Sequence, residues 1–93
     1  MFFELDDIDL DNINLNPDFL TRQSLYREYQ KKGLDGVKAD IQELADSIRS
    51  VGLLQPISVT PTAYKQYDLV IGLRRFLAAK LLKWKTIAAQ VII

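Results

Sequence analysis

Tyr67-Asp68-Leu69-Val70-Ile71 is a β-branched and aromatic run, and one residue beyond it the chain becomes Leu73 to Lys83, rich in Leu, Ala, Arg and Lys. The first composition favours a strand and the second a helix. Only Gly72 separates them, so strand must become helix across a single glycine. Strand–glycine–helix turns are common and this one lacks a full glycine-rich loop, so the spacing by itself says little about chemistry. A second β-type run, Pro56-Ile57-Ser58-Val59-Thr60, comes just before, separated by the turn-compatible stretch Pro61 to Gln66. The pair reads as a hairpin whose loop is too long for a tight turn.

Other elements follow from pattern. Ile41, Leu44, Ala45 and Ile48 recur at helical spacing, and Asp40-Ile41-Gln42-Glu43 has the form of a capping box, so a helix is expected from Asp40 to its stop at Gly52. Asn16-Pro17 reads as a turn or helix start, Asn16 as N-cap and Pro17 as first helical residue. A helix from Ser24 to Lys32 would put Tyr26 and Tyr29 on one face and end at Gly33, with Gly33-Leu34-Asp35-Gly36 as a loop. Phe3, Leu5, Ile8, Leu10, Ile13 and Leu15 alternate imperfectly with polar residues, which suggests one or two short strands with a break near Asp6-Asp7. Ile87 to Ile93 reads as a last strand. Its apolar end, Val91-Ile92-Ile93, has no polar exit and fits a domain cut from a longer protein.

At 93 residues there is room for one domain, residues 1–93, and at 48% hydrophobic the chain can bury a core without staples. It has no cysteine and no histidine, which removes disulfides, thiol catalysis, hydrolase triads and zinc sites. Met1-Phe2-Phe3 runs straight into acids, so no signal peptide is expected, and no apolar stretch approaches membrane-spanning length; the expected location is cytoplasmic. Net charge is zero but uneven: residues 1–18 hold six acids and no base, residues 65–93 six bases and one acid. Solvated faces and internal pairing account for this as readily as a phosphate-rich partner does. The aspartates 6, 7, 9 and 11 lack the layout of a calcium loop, so they read as solvent-facing alternation and no metal site is expected from them.

Chemistry concentrates at Gly72, Arg74 and Arg75. A helix N-terminus carries unpaired N–H groups and partial positive charge, so two cations there are unfavourable for the dipole unless an anion accompanies them. The competing reading pairs the arginines with acids such as Asp68 or the acidic head. Gly52-Leu53-Leu54-Gln55-Pro56 is a second candidate, because Pro56 restricts Gln55 to an extended backbone and fixes its amide. Its plain alternative is a helix-to-strand connection. Tyr64, Tyr67 and Trp84 are not interleaved with basic residues as a base-stacking platform would be, and core or rim packing suits them better.

Taken in order, Leu44-Ala45-Asp46-Ser47-Ile48, Gly52-Leu53-Leu54-Gln55-Pro56-Ile57-Ser58-Val59, Tyr67 to Arg75 and Ala78-Ala79-Lys80-Leu81 resemble the ParB N-terminal domain of the ParB/sulfiredoxin superfamily, which includes ParB-like nuclease domains. Ile13, Asn16-Pro17 and Arg22 echo that family's opening, while residues 20–37 look divergent or inserted. The resemblance implies an α/β (α+β) fold, a small mixed sheet with about three helices. It also implies one nucleotide pocket bordered by Gly52, Gln55, Gly72, Arg74 and Arg75, with Arg22 nearby; in ParB that pocket takes CTP and magnesium. CTP or ATP with Mg2+ is therefore the expected cofactor. The family's Gly-Glu-Arg-Arg-x-Arg motif stands here as Gly72-Leu73-Arg74-Arg75-Phe76-Leu77, without the glutamate and the last arginine. That departure implies weaker binding and weak or absent hydrolysis. Sulfiredoxin activity is excluded by the missing cysteine, and ParB's helix-turn-helix is absent, so this chain alone is not expected to read DNA sequence.

Three functions stay open. One is a nucleotide- or nucleic-acid-associated domain with a phosphate-binding Gly-x-Arg-Arg turn. Another is an inactive module that binds a protein or forms a homodimer, and the third a phosphotransferase or nuclease. The third requires a carboxylate within reach of Gly72, supplied by Asp68, Glu43 or an N-terminal aspartate.

Overall fold

A computed structural model describes residues 3–93, with side chains from Glu4 onward; Met1 and Phe2 lie outside the described residues. Five strands form one mixed sheet: β1 (Phe3–Asp9), β2 (Ile13–Asn14), β3 (Ile57–Ala63), β4 (Gln66–Ile71) and β5 (Thr86–Ile92), in the order β1-β5-β3-β4-β2. The helices are α1 (Gln23–Val51) and α2 (Leu73–Leu81). β5 pairs antiparallel with β1 and parallel with β3; β4 pairs antiparallel with β3 and parallel with β2.

Every second residue of β5, Ile87, Ala89 and Val91, is buried, and so are Ile57, Val59, Leu69 and Ile8 on neighbouring strands. Strand alternation thus gives the sheet one apolar face. Leu73, Phe76 and Leu77 of α2 share that core, and each such side chain contributes about 1.5–3 kcal/mol on burial. Ala78 meets Ala45 and Ile48 of α1 in a second cluster, where two alanines let the helices approach closely. β5 is an interior strand in which Val91 is buried, whereas Ile93 beyond it is 70% exposed.

Several expectations need correction. The N-terminal strand runs unbroken through Asp6-Asp7, and the interruption is a 3-10 turn at Leu10–Asn12. That turn changes the spacing of buried residues from two (Ile8, Leu10) to three (Leu10, Ile13), which keeps all three in the core. Asn16-Pro17 opens a turn, not a helix; α1 begins at Gln23. Asp40 is an exposed mid-helix residue and no capping box forms, because buried Val37 extends the face of Ile41, Ala45 and Ile48 one turn earlier. Residues 34–36 are helical, not a loop. The expected break survives only as Gly33, at φ 69 and ψ −162, a conformation open essentially to glycine alone, so α1 is two helical arms joined at that residue. Gly36 lies against the Lys32 side chain across the same joint. With α2 this makes three helical segments.

The hairpin is also tighter than its sequence suggests. β3 continues through Pro61 to Ala63 with an irregularity in register, leaving only Tyr64 and Lys65 in the connection, Lys65 at φ 55. β5 pairs with β3 only at residues 57–59, so the proline faces no ladder partner on that side. Tyr64 is 85% exposed at the tip, whereas Tyr67 and Trp84 pack against the core. Past Leu82, α2 closes with Lys83 N–H on the Lys80 carbonyl and Trp84 N–H on that of Ala79, the Schellman pattern, with Lys83 in the left-handed region.

Candidate functional site

Sheet topology brings three connections to one end of the strands. β2 and β4 run parallel, so the segments leaving them, Leu15 to Arg22 and Gly72 onward, emerge on the same side. β3 is antiparallel to β4, so Gln55-Pro56, which enters β3, arrives there too. Ligands of α/β sheets commonly sit outside the carboxyl ends of strands, where such connections meet.

Gly72 has φ 112 and ψ 34, and a Cβ built on it would stand 2.7 Å from Cγ2 of the fully buried Ile57. Both backbone conformation and the β3 side chain therefore demand glycine. Phe76 N–H bonds the Gly72 carbonyl at 2.8 Å, which starts α2, and the first turn holds no acid. Above it lies a cavity of about 360 Å³ lined by Leu20, Thr21, Arg22, Leu44, Val70, Ile71, Gly72, Leu73, Arg74 and Arg75. Three arginines and no carboxylate face this space, at the positive end of a helix dipole.

The two adjacent arginines differ. Arg75 donates from Nη1 to the Gln55 carbonyl at 3.0 Å and the Pro56 carbonyl at 2.6 Å, and burial lowers its pKa while leaving it a cation. Arg74 makes one exposed bond, from Nη2 to the Asp40 carbonyl of α1 at 3.0 Å. Among the described residues neither forms an ion pair. The pairing of Arg74 or Arg75 with Asp68 is thus not what the structure shows: Asp68 Oδ2 accepts from Asn16 Nδ2 at 3.1 Å.

Gly72, Arg74, Arg75 and Arg22 line one cavity, but Gly52 and Gln55 do not reach it. They line an adjoining apolar groove of about 310 Å³ with Leu44, Ser47, Ile48, Val51, Leu53, Leu54 and Arg75. Gln55 touches the arginine system through its backbone carbonyl, and its side chain is exposed. A third, polar space of about 630 Å³ shares Thr21, Arg22 and Arg74 with the first and adds Glu28 and Asp40. Sequence reasoning missed Thr21, Leu20 and the Asn16–Asp68 contact. Asn16-Pro17 marked the place, but only the parallel β2–β4 pairing shows what it holds.

Among the described residues no group of three or more carboxylates could hold a metal ion, and no helix is long and apolar enough to cross a membrane.

The family model described as the ParB N-terminal domain matches residues 6–93. Nucleoid occlusion proteins of Lysinibacillus sphaericus and Halalkalibacterium halodurans are 41% and 49% identical over 51 and 49 residues, 55% and 53% of this chain. The chain spans 17% of the length of each of these relatives. Among solved structures, the C-terminally truncated chromosome-partitioning protein ParB from Caulobacter crescentus complexed with CTP-gamma-S superposes with a TM-score of 0.72 at 30% identity, covering 96% of this chain and 44% of that one. The same protein complexed to the centromeric parS site gives 0.63 at 28% identity, with 95% and 38% covered. Sulfiredoxin from Arabidopsis thaliana gives 0.68 at 24% identity, over 96% of this chain and 84% of that one, a likeness of fold.

Proposed function

The chain belongs to the ParB N-terminal domain family, and on that premise we propose that it binds the phosphates of a nucleotide, CTP or ATP, in the cleft at the start of α2, without hydrolysing it. The observation that carries this reading is the cavity where Arg22, Arg74, Arg75 and Gly72 converge with no carboxylate among its lining residues. Clustered cations without an ion-pair partner in a concave site are stabilised by an anion, and arginine forks match phosphate oxygens. At about 360 Å³ the space falls within the size range of small-ligand pockets. Arg74 and Arg22 are the phosphate ligands, and Arg75 braces the floor by holding the Gln55 and Pro56 carbonyls.

The fit to a divalent cation is poor. No carboxylate lines the cavity beside Gly72; Glu28 and Asp40 line only the adjoining space that shares Thr21, Arg22 and Arg74 with it. The same feature argues against a phosphotransferase or nuclease, which needs a base near Gly72. The Caulobacter protein solved with CTP-gamma-S and with parS supports nucleotide as the ligand and nucleic acid as a partner.

A second reading, a protein-binding or dimerising surface, is favoured by the adjoining groove, where Leu54 is 82% and Val51 62% exposed. One experiment separates the two. Thermal melting and calorimetry of the chain with CTP, ATP, ADP and inorganic phosphate, each with and without Mg2+, are run on wild type and Arg74→Ala. Saturable stabilisation by a nucleotide, reduced by the substitution, supports the cleft reading; no stabilisation of the folded chain by any of them overturns it in favour of the interaction surface.

A further inference from the structure

Arg22 lies on the irregular segment between β2 and α1, and β2 joins the sheet through two residues only, Ile13 opposite Tyr67 and Asn14 opposite Asp68. Two parallel pairings are a weak tether; beyond them Leu20 is buried in the core and Gln23 Nε2 donates to the Pro17 and Leu20 carbonyls, while one side chain ties the turn itself to β4. Asn16 donates from Nδ2 to Asp68 Oδ2 at 3.1 Å, in a half-buried contact across 52 residues of sequence. Its Oδ1 accepts the Asp18 N–H at 3.0 Å, and its backbone carbonyl accepts the Phe19 N–H at 3.0 Å. The turn so built delivers Leu20 into the core and leads two residues later to Arg22 at the cavity. Asp68 belongs to β4 and stands four residues before Gly72, so the Asn16–Asp68 bond ties the cleft's outer segment directly to the strand that ends in its floor.

We propose that Asn16 is a positioning residue for anion binding: hydrogen-bonded to Asp68, it holds Arg22 over the cavity while touching no ligand itself. The inference rests on the anion reading of the cleft. It assigns Asp68 the role of anchor, in place of partner to Arg74 or Arg75 or of a base.

The test uses inorganic triphosphate and calorimetry on the chain. Asn16→Asp keeps the acceptor for the Asp18 N–H but opposes two carboxylates across the contact, and Asn16→Ala removes the contact without adding charge. Combining Asn16→Asp with Asp68→Asn restores one donor and one acceptor in exchanged places. We expect each single change at Asn16 to weaken triphosphate binding about five- to twentyfold, and the combined variant to return to within about threefold of wild type. On an Arg22→Ala background the change at Asn16 adds nothing, because the residue it positions is gone. A folded Asn16→Ala chain, checked by circular dichroism, that binds triphosphate as wild type does overturns the inference with the cleft reading intact. An equal loss on the Arg22→Ala background, or no rescue in the folded combined variant, overturns it as well. If wild type binds no triphosphate, the anion reading fails first and the inference with it.

Discussion

The cleft has a floor and a wall held by different means. The floor, Gly72 to Arg75 with the Gln55 and Pro56 carbonyls below it, is continuous with β3 and β4, and its backbone is locked by Ile57 against Gly72 and by Arg75 across to the β3 entry. The wall, Leu15 to Lys32, reaches the sheet through two residues of β2, the Asn16–Asp68 bond, and Leu20 and Tyr26 in the core, and it leaves through the glycine joint at Gly33. The same fold thus supplies a preformed floor carrying two arginines and a less firmly held side that brings the third. Local opening is cheaper where buried contacts are fewer, so damage to the floor should unfold the domain and damage to the wall should loosen one side of it.

The largest effect is expected at Gly72. Gly72→Ala forces a Cβ into Ile57 at a left-handed φ and should cost about 2–5 kcal/mol, a fall in Tm of about 8 °C or more. A melting curve within 2–3 °C of wild type, roughly what a surface change gives, would mean that the floor yields and is not locked. In the wall, Gly33→Ala meets no neighbouring atom but keeps the backbone strain, for about 1–3 kcal/mol. Its hydrogen-exchange signature should be local: faster exchange from Tyr26 to Lys32 and none in β3, β4 or α2. Exchange that rises evenly through the sheet would erase the distinction between floor and wall.

The floor was more legible from sequence than the wall, for a physical reason. Ile57 to Val59, Leu69 to Gly72 and Leu73 to Leu81 are short elements whose period, glycine and helix propensity agree with one another, so their meeting at Gly72 could be read directly. Residues 15–43 carry mixed signals. Asn16-Pro17 and Asp40-Ile41-Gln42-Glu43 both have the composition of helix starts, yet Asn16 is used in a turn and Asp40 lies in mid-helix, because buried Leu20 and Val37 decide where the chain goes. Local capping chemistry is worth about 1 kcal/mol, and burial of one large apolar side chain outweighs it. For the candidate site, residue types pointed to Gly72, Arg74 and Arg75 and the family resemblance pointed to Arg22, and the four line one cavity. Residue types did not show that Gln55 meets Arg75 through its backbone carbonyl, since side-chain and backbone contacts are indistinguishable in a sequence.

Arg74 and Arg75 give the smallest and sharpest comparison, because they are neighbours within the floor itself. Arg75→Ala removes two bonds to backbone carbonyls, one of them partly buried, and should cost about 1–2 kcal/mol of stability. Arg74→Ala loses a single exposed bond to α1 and should change stability by less than about 0.5 kcal/mol. Ligand binding should show the opposite emphasis. Losing Arg74 removes a charge-assisted contact made only with the anion, so triphosphate affinity should fall roughly ten- to hundredfold at nearly constant Tm, with a shallower salt dependence. Arg74→Lys keeps the charge without the planar fork and should fall between. If Arg75→Ala alone weakened binding while Arg74→Ala did not, the assignment would reverse: the carbonyl contacts of Arg75 would be a resting position that ligand displaces, and the floor would be the part of the cleft that moves.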